Sequence, residues 1–593
     1  MRQGFQGIGT SIVVGAGLLA LVAANPAEAG DGPQFSEISG LLGVTAFQTP
    51  SPNLQSAVID VSPMIGAGAV GDFNNDGRPD LFVLSGGTEG DRLYMNIGTN
   101  LVDRAAEAGI AQQHIGIGCC VGDYNGDGWQ DIFVISFGES KEPTDPIEDR
   151  HRLYRNNADG TFTDVADAAG LRSLDWAVPA GWGPAFGDYD LDGDLDLAIP
   201  SWTGGGTRLM QNQGDGTFEN VTVAAGLETS GVQGFSARFV DMDGDRYPEL
   251  LVAGDYGTSR YLRNNRDGTF TNLTNDSGTG LDGNGMGHAV ADLDGDGRLD
   301  WYVTSIFTPD ASTPSIPGTG NYLYRANGDH SFDVGGNNTA RDGGWGWGVE
   351  AIDIDHDGNM DLVETNGWPM LNANGEPEWD NEPCYVFHND GALNFTDVAD
   401  ACGLDDSGQG RGLVRFDYDR DGDQDVVVFR FNDTVRIYKN QLTERADRAW
   451  LDMRFDTSAH PRLAPDGYGA SVTVTAGKRT WTSAMTGGST FASQSELSVH
   501  LGLGRNAMVD AIRITWNDGS VTELTDVVTR QHLVIESGFS SDLDGDGSVG
   551  FMDLLSLLTQ FGQPTTNADL NASGMVDADD LMILFGNWGL ASG

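Results

Sequence analysis

One nine-residue pattern, Asp-x-Asp/Asn-x-Asp-Gly-x-x-Asp, occurs seven times in the 593 residues, each copy starting 51 to 65 residues after the one before. Positions one, three, five and nine carry oxygen side chains throughout. They are Asp72, Asn74, Asp76 and Asp80; Asp123, Asn125, Asp127 and Asp131; Asp188, Asp190, Asp192 and Asp196; and Asp241, Asp243, Asp245 and Glu249. The last three copies supply Asp292, Asp294, Asp296 and Asp300; Asp353, Asp355, Asp357 and Asp361; and Asp417, Asp419, Asp421 and Asp425. Alternate side chains of a tight turn converge on one point, and a glycine at position six lets the chain fold back. A cage of hard oxygens of this kind selects Ca2+. An isolated Asp-rich turn reads as a solvated β-turn, but seven in fixed surroundings read as metal sites. The fourth copy has Arg246 where the others have glycine, so this loop is expected to be strained or to bind weakly.

A different spacing closes the chain. Asp542, Asp544, Asp546 and Asp553 stand at positions 1, 3, 5 and 12 of a loop with Gly547 at position 6, the arrangement of an EF-hand loop with aspartate last. Asp569, Asn571, Ser573 and Asp580 form a weaker copy. Each is followed by an apolar run, Leu554 to Phe561 and Leu581 to Phe585, that reads as a short helix. The cofactor expected is therefore Ca2+, with about seven sites in the repeats and one or two in the C-terminal module.

The elements around the seven loops define the fold class. A short apolar, glycine-rich strand such as Pro184–Gly187 precedes each loop and an alternating strand such as Asp196–Ile199 follows it, so the loop joins a hairpin and not two helices. A third strand has a Leu-Tyr-x-Asn flavour, as at Leu93–Asn96, and a fourth reads Gly-Thr-Phe-x-Asx-Val, as at Gly160–Val165. Four strands per unit, seven times over, predict a mainly β chain built on a seven-bladed β-propeller. The seventh unit stops at Asn440 without a fourth strand, whereas an orphan copy, Phe35–Ser39, precedes the first, so residues 35–39 are expected to complete the last blade and remove its open edge. The boundaries that follow are 30–440 for the propeller, 445–537 for a small all-β domain, 538–541 for a linker and 542–593 for a small α-helical paired-loop module.

These repeats resemble the FG-GAP/VCBS calcium repeats of integrin α-chain N-terminal propellers, and the order of motifs over residues 35–537 is similar to that of the cartilage acidic protein family. Gly467–Ala470, Ser493–Ser495, His500–Gly504 and Ile514–Gly519 give residues 445–537 the look of its ASPIC/UnbV domain. The resemblance implies an extracellular calcium-binding protein and specifies fold better than activity. The C-terminal module resembles a type I dockerin, which implies a cohesin as a partner. Gly550-Phe551 and Ala578-Asp579, at the recognition positions, match no cohesin specificity. A folding cap or sorting tag is the alternative.

Charge and the chain's start agree with export. Lys plus Arg number 33 against 87 Asp plus Glu, a net charge of −54, which would repel a nucleic-acid backbone or an anionic membrane. Arg2, the apolar run Ile8 to Ala24 and Ala27-Glu28-Ala29 read as a secretory signal over residues 1–29, removed before Gly30, with no membrane insertion of the mature protein. Four cysteines allow three pairings in an oxidising compartment. Cys384 with Cys402 is the pair expected, since the neighbours Cys119 and Cys120 could bridge only with strain.

Two function classes remain. Nine scattered histidines, no His-Glu-x-x-His, no Gly-x-Ser-x-Gly and no phosphate-binding glycine loop argue against an enzyme, and no catalytic residue is assigned. Gly344–Gly348, with Trp345 and Trp347, reads as blade core ahead of a sugar platform. Insertions at Gly138–Arg150, Phe307–Gly320 and Asn366–Pro383 fall at one repeated place, between second and third strands, and so on one face. An adhesive protein that meets extracellular protein or glycan partners through these loops is the reading the residues favour. The alternative is a carbohydrate-active lyase or hydrolase, or a subunit of one, tethered through the dockerin-like module.

Overall fold

The computed structural model describes residues 33–588 apart from 55–59, 138–149, 175–180, 309–317, 335–338, 372–376, 443–447, 538–542, 544–548, 564–567, 571–574 and positions 173, 229, 459, 461, 489, 569 and 587. The signal segment and the linker lie outside the described residues. So do Asp542, Asp544, Asp546, Asp569, Asn571 and Ser573.

The chain is mainly β, with 42% strand and 9% helix. Seven four-stranded antiparallel sheets account for most of the strand among the described residues. The third is typical: Ala185–Gly187, Asp196–Ile199, Arg208–Asn212 and Phe218–Asn220 pair in sequence order. Its first two strands are buried on both faces, whereas the outer strand buries Phe218 and exposes Glu219 and Asn220. That explains why the inner strands read as continuous apolar and glycine runs. The first strands stand side by side in sequence order, and the first strand of the seventh sheet, Gly410–Phe416, touches that of the first, Gly68–Gly71. The seventh sheet takes its fourth strand from the other end of the chain. Phe35–Glu37 pairs antiparallel with Arg436–Asn440, Phe35 opposite Asn440, while Ser39–Leu42 turns into a short helix instead of continuing the strand.

The asparagine that ends the third strand of six of the seven sheets ties sheet to sheet. Asn156 Nδ2 donates to the Phe73 carbonyl of the preceding sheet at 2.9 Å, Asn212 to Tyr124 at 2.7 Å and Asn264 to Tyr189 at 2.8 Å. Asn389 donates to Leu293 and Asn440 to Ile354 in the same way, and Asn96 to Tyr418 at 2.7 Å links the first sheet to the seventh. The fifth sheet has Ala326 at this place. Replacing Asn389 by alanine leaves a buried carbonyl without its donor and is expected to cost about 1–3 kcal/mol, whereas Ala326→Asn is expected to gain roughly 1 kcal/mol. Denaturant titration of the two variants measures both, and equal effects of the same sign would contradict the link.

Residues 449–537 build two further sheets. In one, Ala449–Asp456 runs antiparallel to Val499–Gly504 and parallel to Gln531–Glu536. In the other the order is Arg479–Ala484, Ser471–Ala476, Met508–Thr515, Val521–Val528. The segment between the two sheets reaches into the middle of the seven. Its Thr490, Ala492 and Gln494 carbonyls accept from the backbone N–H groups of His288, Cys119 and Val70 at 3.0–3.1 Å. The Thr490 hydroxyl donates to Leu413 O, the Gln494 amide clasps both backbone groups of Val121, and Gly487 bridges Phe186. Phe491 packs on Phe235 and Trp347. Each of the seven sheets thus meets this one segment, and a single apolar cluster runs from Phe73, Trp182 and Trp347 into Tyr468, Leu501 and Trp516.

The C-terminal residues form two helices, Phe551–Gln560 and Ala578–Gly586, over a small core of Val549, Leu557, Leu570, Val576 and Leu584. The four cysteines correct the expected pairing: all are buried free thiols, and Cys384 and Cys402 are accommodated in one apolar cluster as small core residues.

Candidate metal loops and the domain seated on them

Each loop joins the first and second strands of its sheet and has the same wiring. The position-one carboxylate accepts the N–H groups of positions five and six: Asp72 from Asp76 and Gly77 at 3.0 and 2.8 Å, Asp123 from Asp127 and Gly128 at 3.0 and 2.7 Å, and Asp417 from Asp421 and Gly422 at 3.0 and 2.8 Å. The position-nine carboxylate begins the second strand and is clamped by the third strand. Asp80 accepts from Asn96 N, Asp131 from Asn156 N, Asp196 from Asn212 N, Asp361 from Asn389 N and Asp425 from Asn440 N, at 2.7–2.8 Å. Glu249 and Asp300 are held from Asn264 and Ala326. In the fourth loop Arg246 adopts φ 81°, the left-handed conformation its sisters give to glycine.

These carboxylates are crowded and dry. The ligand oxygens of Asp188, Asp190 and Asp196 lie within 4.8 Å of one another, as do those of Asp292, Asp294 and Asp296. Burial pushes Asp80 up to about 8, Asp131 up to about 9 and Asp300 up to about 8, and neighbouring carboxylates add to the shift. Asp188, Asp196, Asp353, Asp361 and Asp425 are raised well above the carboxylate range for the same reasons. Asp131 Oδ2 and Asp190 Oδ1 are buried without a hydrogen-bond partner. Such a set of oxygens fits a hard dication. Some loops carry a cation of their own: Lys439 contacts Asp419 and stands 3.0 Å from Asp421 in the seventh, and Arg325 stands 3.6 Å from Asp294 in the fifth.

The domain at 449–537 sits on this loop face, and its contributions were not readable from repeat spacing. Arg454 bridges Asp72 at 3.4 Å and Glu496 at 2.5 Å, and Glu496 accepts from Asp417 N at 3.1 Å. His532 lies between Asp452 at 2.9 Å and Asp417 at 3.4 Å. Asn517 donates to Asp188 at 3.1 Å and accepts from Arg246 at 2.9 Å, while Arg479 and Trp481 donate to Gly358 O. In the C-terminal module, Asp553 accepts from Leu543 N and Gly550 N, and Asp580 accepts from Leu570 N and Asp577 N, a matched pair that shows the module's internal duplication.

Two other groupings bear on catalysis. His114 stands between Ser136, at 2.5 Å, and Asp91, at 3.5 Å, in the order of a hydrolytic triad. All three are fully buried, and the Ser136 hydroxyl donates to Arg150 O at 2.9 Å, so the arrangement holds strands together. At the base of the third insertion, burial pushes Glu382 up to about 7 and raises Glu364, which also faces Glu382, well above the carboxylate range. Glu364 is bonded to Asn321 and Tyr302. Trp345 stacks on Trp368 at 5.1 Å beside them, and Trp345 and Trp347 are buried, as blade core would be.

Comparison with known proteins agrees with this architecture. Residues 72–134, 145–199, 241–303 and 312–364 match the FG-GAP-like repeat, and residues 460–541 match the ASPIC and UnbV domain. The chain therefore carries FG-GAP repeats followed by an ASPIC/UnbV domain. Among individual relatives, cartilage acidic protein 1 of Xenopus tropicalis is 28% identical over 206 residues, 33% of this chain and 30% of the relative, and that of Homo sapiens is 27% identical over 212 residues, 34% and 30%. The chain thus covers less than a third of those relatives' length. Among solved structures, YCF48 bound to D1 peptide covers 68% of this chain and 96% of its own at 8% identity and a TM-score of 0.37. The exotype rhamnogalacturonan lyase YesX covers 63% and 72% at 15% identity and 0.35. Likenesses this loose say nothing of activity.

Proposed function

We propose that this is a secreted, calcium-loaded, seven-bladed β-propeller that binds extracellular protein or glycan partners and is not an enzyme. The observation that carries the calcium reading is the sevenfold repetition of buried, mutually repelling carboxylates, two of them with oxygens lacking a hydrogen-bond partner among the described residues. An ion at each loop would be held by positions one, three, five and nine. It would supply the charge that keeps the loop closed on the ASPIC/UnbV domain. Export through a signal at residues 1–29 and the relatives' character support an extracellular site of action. Among the described residues no helix is long and apolar enough to cross a membrane. The strand ends that bracket the insertions lie on the face opposite the metal loops, because antiparallel strands put those connections at the other end of each sheet. On this reading a partner meets that face, while the ASPIC/UnbV domain covers the other. The paired helices at the C-terminus, with Phe551, Met552 and Leu555 exposed on the first, support a dockerin-like module that could dock on a cohesin.

The Glu364 and Glu382 pair favours a second reading, a carbohydrate-active lyase or hydrolase. A glycan screen of the purified chain separates the two. Binding without turnover, weakened by deletion of residues 372–376, is the expected result. Turnover abolished by Glu382→Gln would establish the enzyme.

A further inference from the structure

The fourth loop has a nitrogen donor set close against its carboxylates. Arg266 Nε bonds Asp245 at 2.5 Å, an ion pair at position five of the kind that Asp76 makes with Arg78, Asp296 with Arg298 and Asp421 with Lys439. Arg246 turns to the Asn517 carbonyl. The nitrogen enters from the next sheet: His330 Nε2 is 3.1 Å from Asp243 Oδ2, and with Asp243 and Glu249 it offers ligand atoms that all lie within 4.8 Å of one another. Two atoms bound to one ion at roughly 2.0–2.2 Å stand about 3.0–3.5 Å apart, so the observed spacing suits a shared metal.

The backbone and its neighbours hold His330 in this position. It lies in the turn between third and fourth strands, where three sister turns hold Gly160, Gly216 and Gly268 with φ of 83°, 83° and 79° and that of the sixth sheet holds Leu393 with φ 60°. His330 takes φ 61°, a conformation a β-carbon disfavours, at the one turn that faces this loop. Its Nδ1 is 2.9 Å from the hydroxyl of Tyr261, which is fully buried on the third strand of the fourth sheet. With Nδ1–H donated to Tyr261, the Nε2 lone pair faces Asp243. This is how an outer hydrogen bond orients a metal-bound histidine. His388 is the nearest parallel: with Asp355 and Asp357 it also offers ligand atoms within 4.8 Å of one another, but more loosely than His330. It stands 3.7 Å from Asp355 at the third-strand place that holds Arg155, Arg263, Arg325 and Lys439 in other sheets, and there it serves as a counter-charge.

We propose that the fourth loop and His330 form a mixed imidazole–carboxylate site that takes a first-row divalent transition ion, with Zn2+ as the probe, in preference to Ca2+. Imidazole adds affinity for such ions and little for calcium, which prefers oxygen. The site does not depend on calcium in the other six loops. The test is calorimetric titration of the stripped full chain with Zn2+ in millimolar Ca2+, repeated with Co2+ followed by visible absorption. One zinc ion per chain is expected. Its affinity should fall about 30-fold in His330→Gly, which restores the glycine of three sister turns, and about tenfold in Tyr261→Phe, while His388→Ala leaves it unchanged. Zinc displaced by calcium, or bound equally by wild type and His330→Gly, overturns the proposal. Calcium bound with no zinc also overturns it. Zinc bound with no calcium in the other loops sustains it and removes the calcium reading instead.

Discussion

Chelation of calcium lowers the melting temperature by about 20 °C at pH 8. At a free concentration about 100 times the dissociation constant each ion contributes ~2.7 kcal/mol, and unfolding roughly 500 residues changes the entropy by about 1 kcal/mol per degree. Six or seven such loops therefore move the midpoint by about 15–20 °C. The pH dependence reverses with the ion. Without calcium, Asp80, Asp131 and Asp300 titrate at about 8, 9 and 8 in the folded state against roughly 3.9 in the unfolded chain. The folded state then binds more protons, so stability falls as pH rises through 8–9. Between pH 9 and 7 the chelated protein should melt higher as the pH is lowered. Over the same range the calcium-loaded protein should hold steady or lose stability as protons compete with the ion. Scanning calorimetry at three pH values with and without chelator reads both slopes, and parallel slopes would contradict the account.

A chain ending at Leu442 does not yield a stable monomer. The seven sheets would then lack the segment that satisfies Val70, Cys119 and His288 N–H and both backbone groups of Val121, and Phe235 and Trp347 would lose Phe491. Five orphaned buried backbone groups at about 1–3 kcal/mol each approach the whole stability of a domain. Gln494→Ala in the full chain is the milder test, expected to cost roughly 2–4 kcal/mol because both Val121 groups lose their partner. Independent, unshifted melting of a chain ending at Leu442 would show that the ASPIC/UnbV domain is an appendage.

Local periodicity made the repeat legible. Loop, flanking strands and the orphan strand at Phe35 each announce themselves within ten residues, and their count sets the number of sheets. What stayed hidden depends on pairs distant in sequence. Nothing at Thr490–Glu496 marks it as the centre of the molecule, because its partners Val70, Cys119, His288 and Leu413 are scattered over more than 300 residues. The role of the Leu-Tyr-x-Asn asparagine needed the neighbouring sheet in place. The His330 turn left a trace, since Asp329-His330-Ser331 breaks the Asp-Gly-Thr of Asp159–Thr161, Asp215–Thr217 and Asp267–Thr269. Its meaning appears only when Asp243 is alongside. The cysteines misled because composition signals the compartment, whereas burial in an apolar cluster decides whether two thiols are positioned to bridge.

The most direct measure of the central claim is the number of calcium ions held per chain. Stripped protein dialysed against millimolar calcium and analysed for bound metal, with isothermal titration for affinity, is predicted to hold about six ions in the repeat loops, plus one or two in the C-terminal module. Six of those ions should survive removal of residues 538–593. Fewer than about four, or a melting curve indifferent to the ion, would contradict it and leave the seven acidic loops as solvated turns.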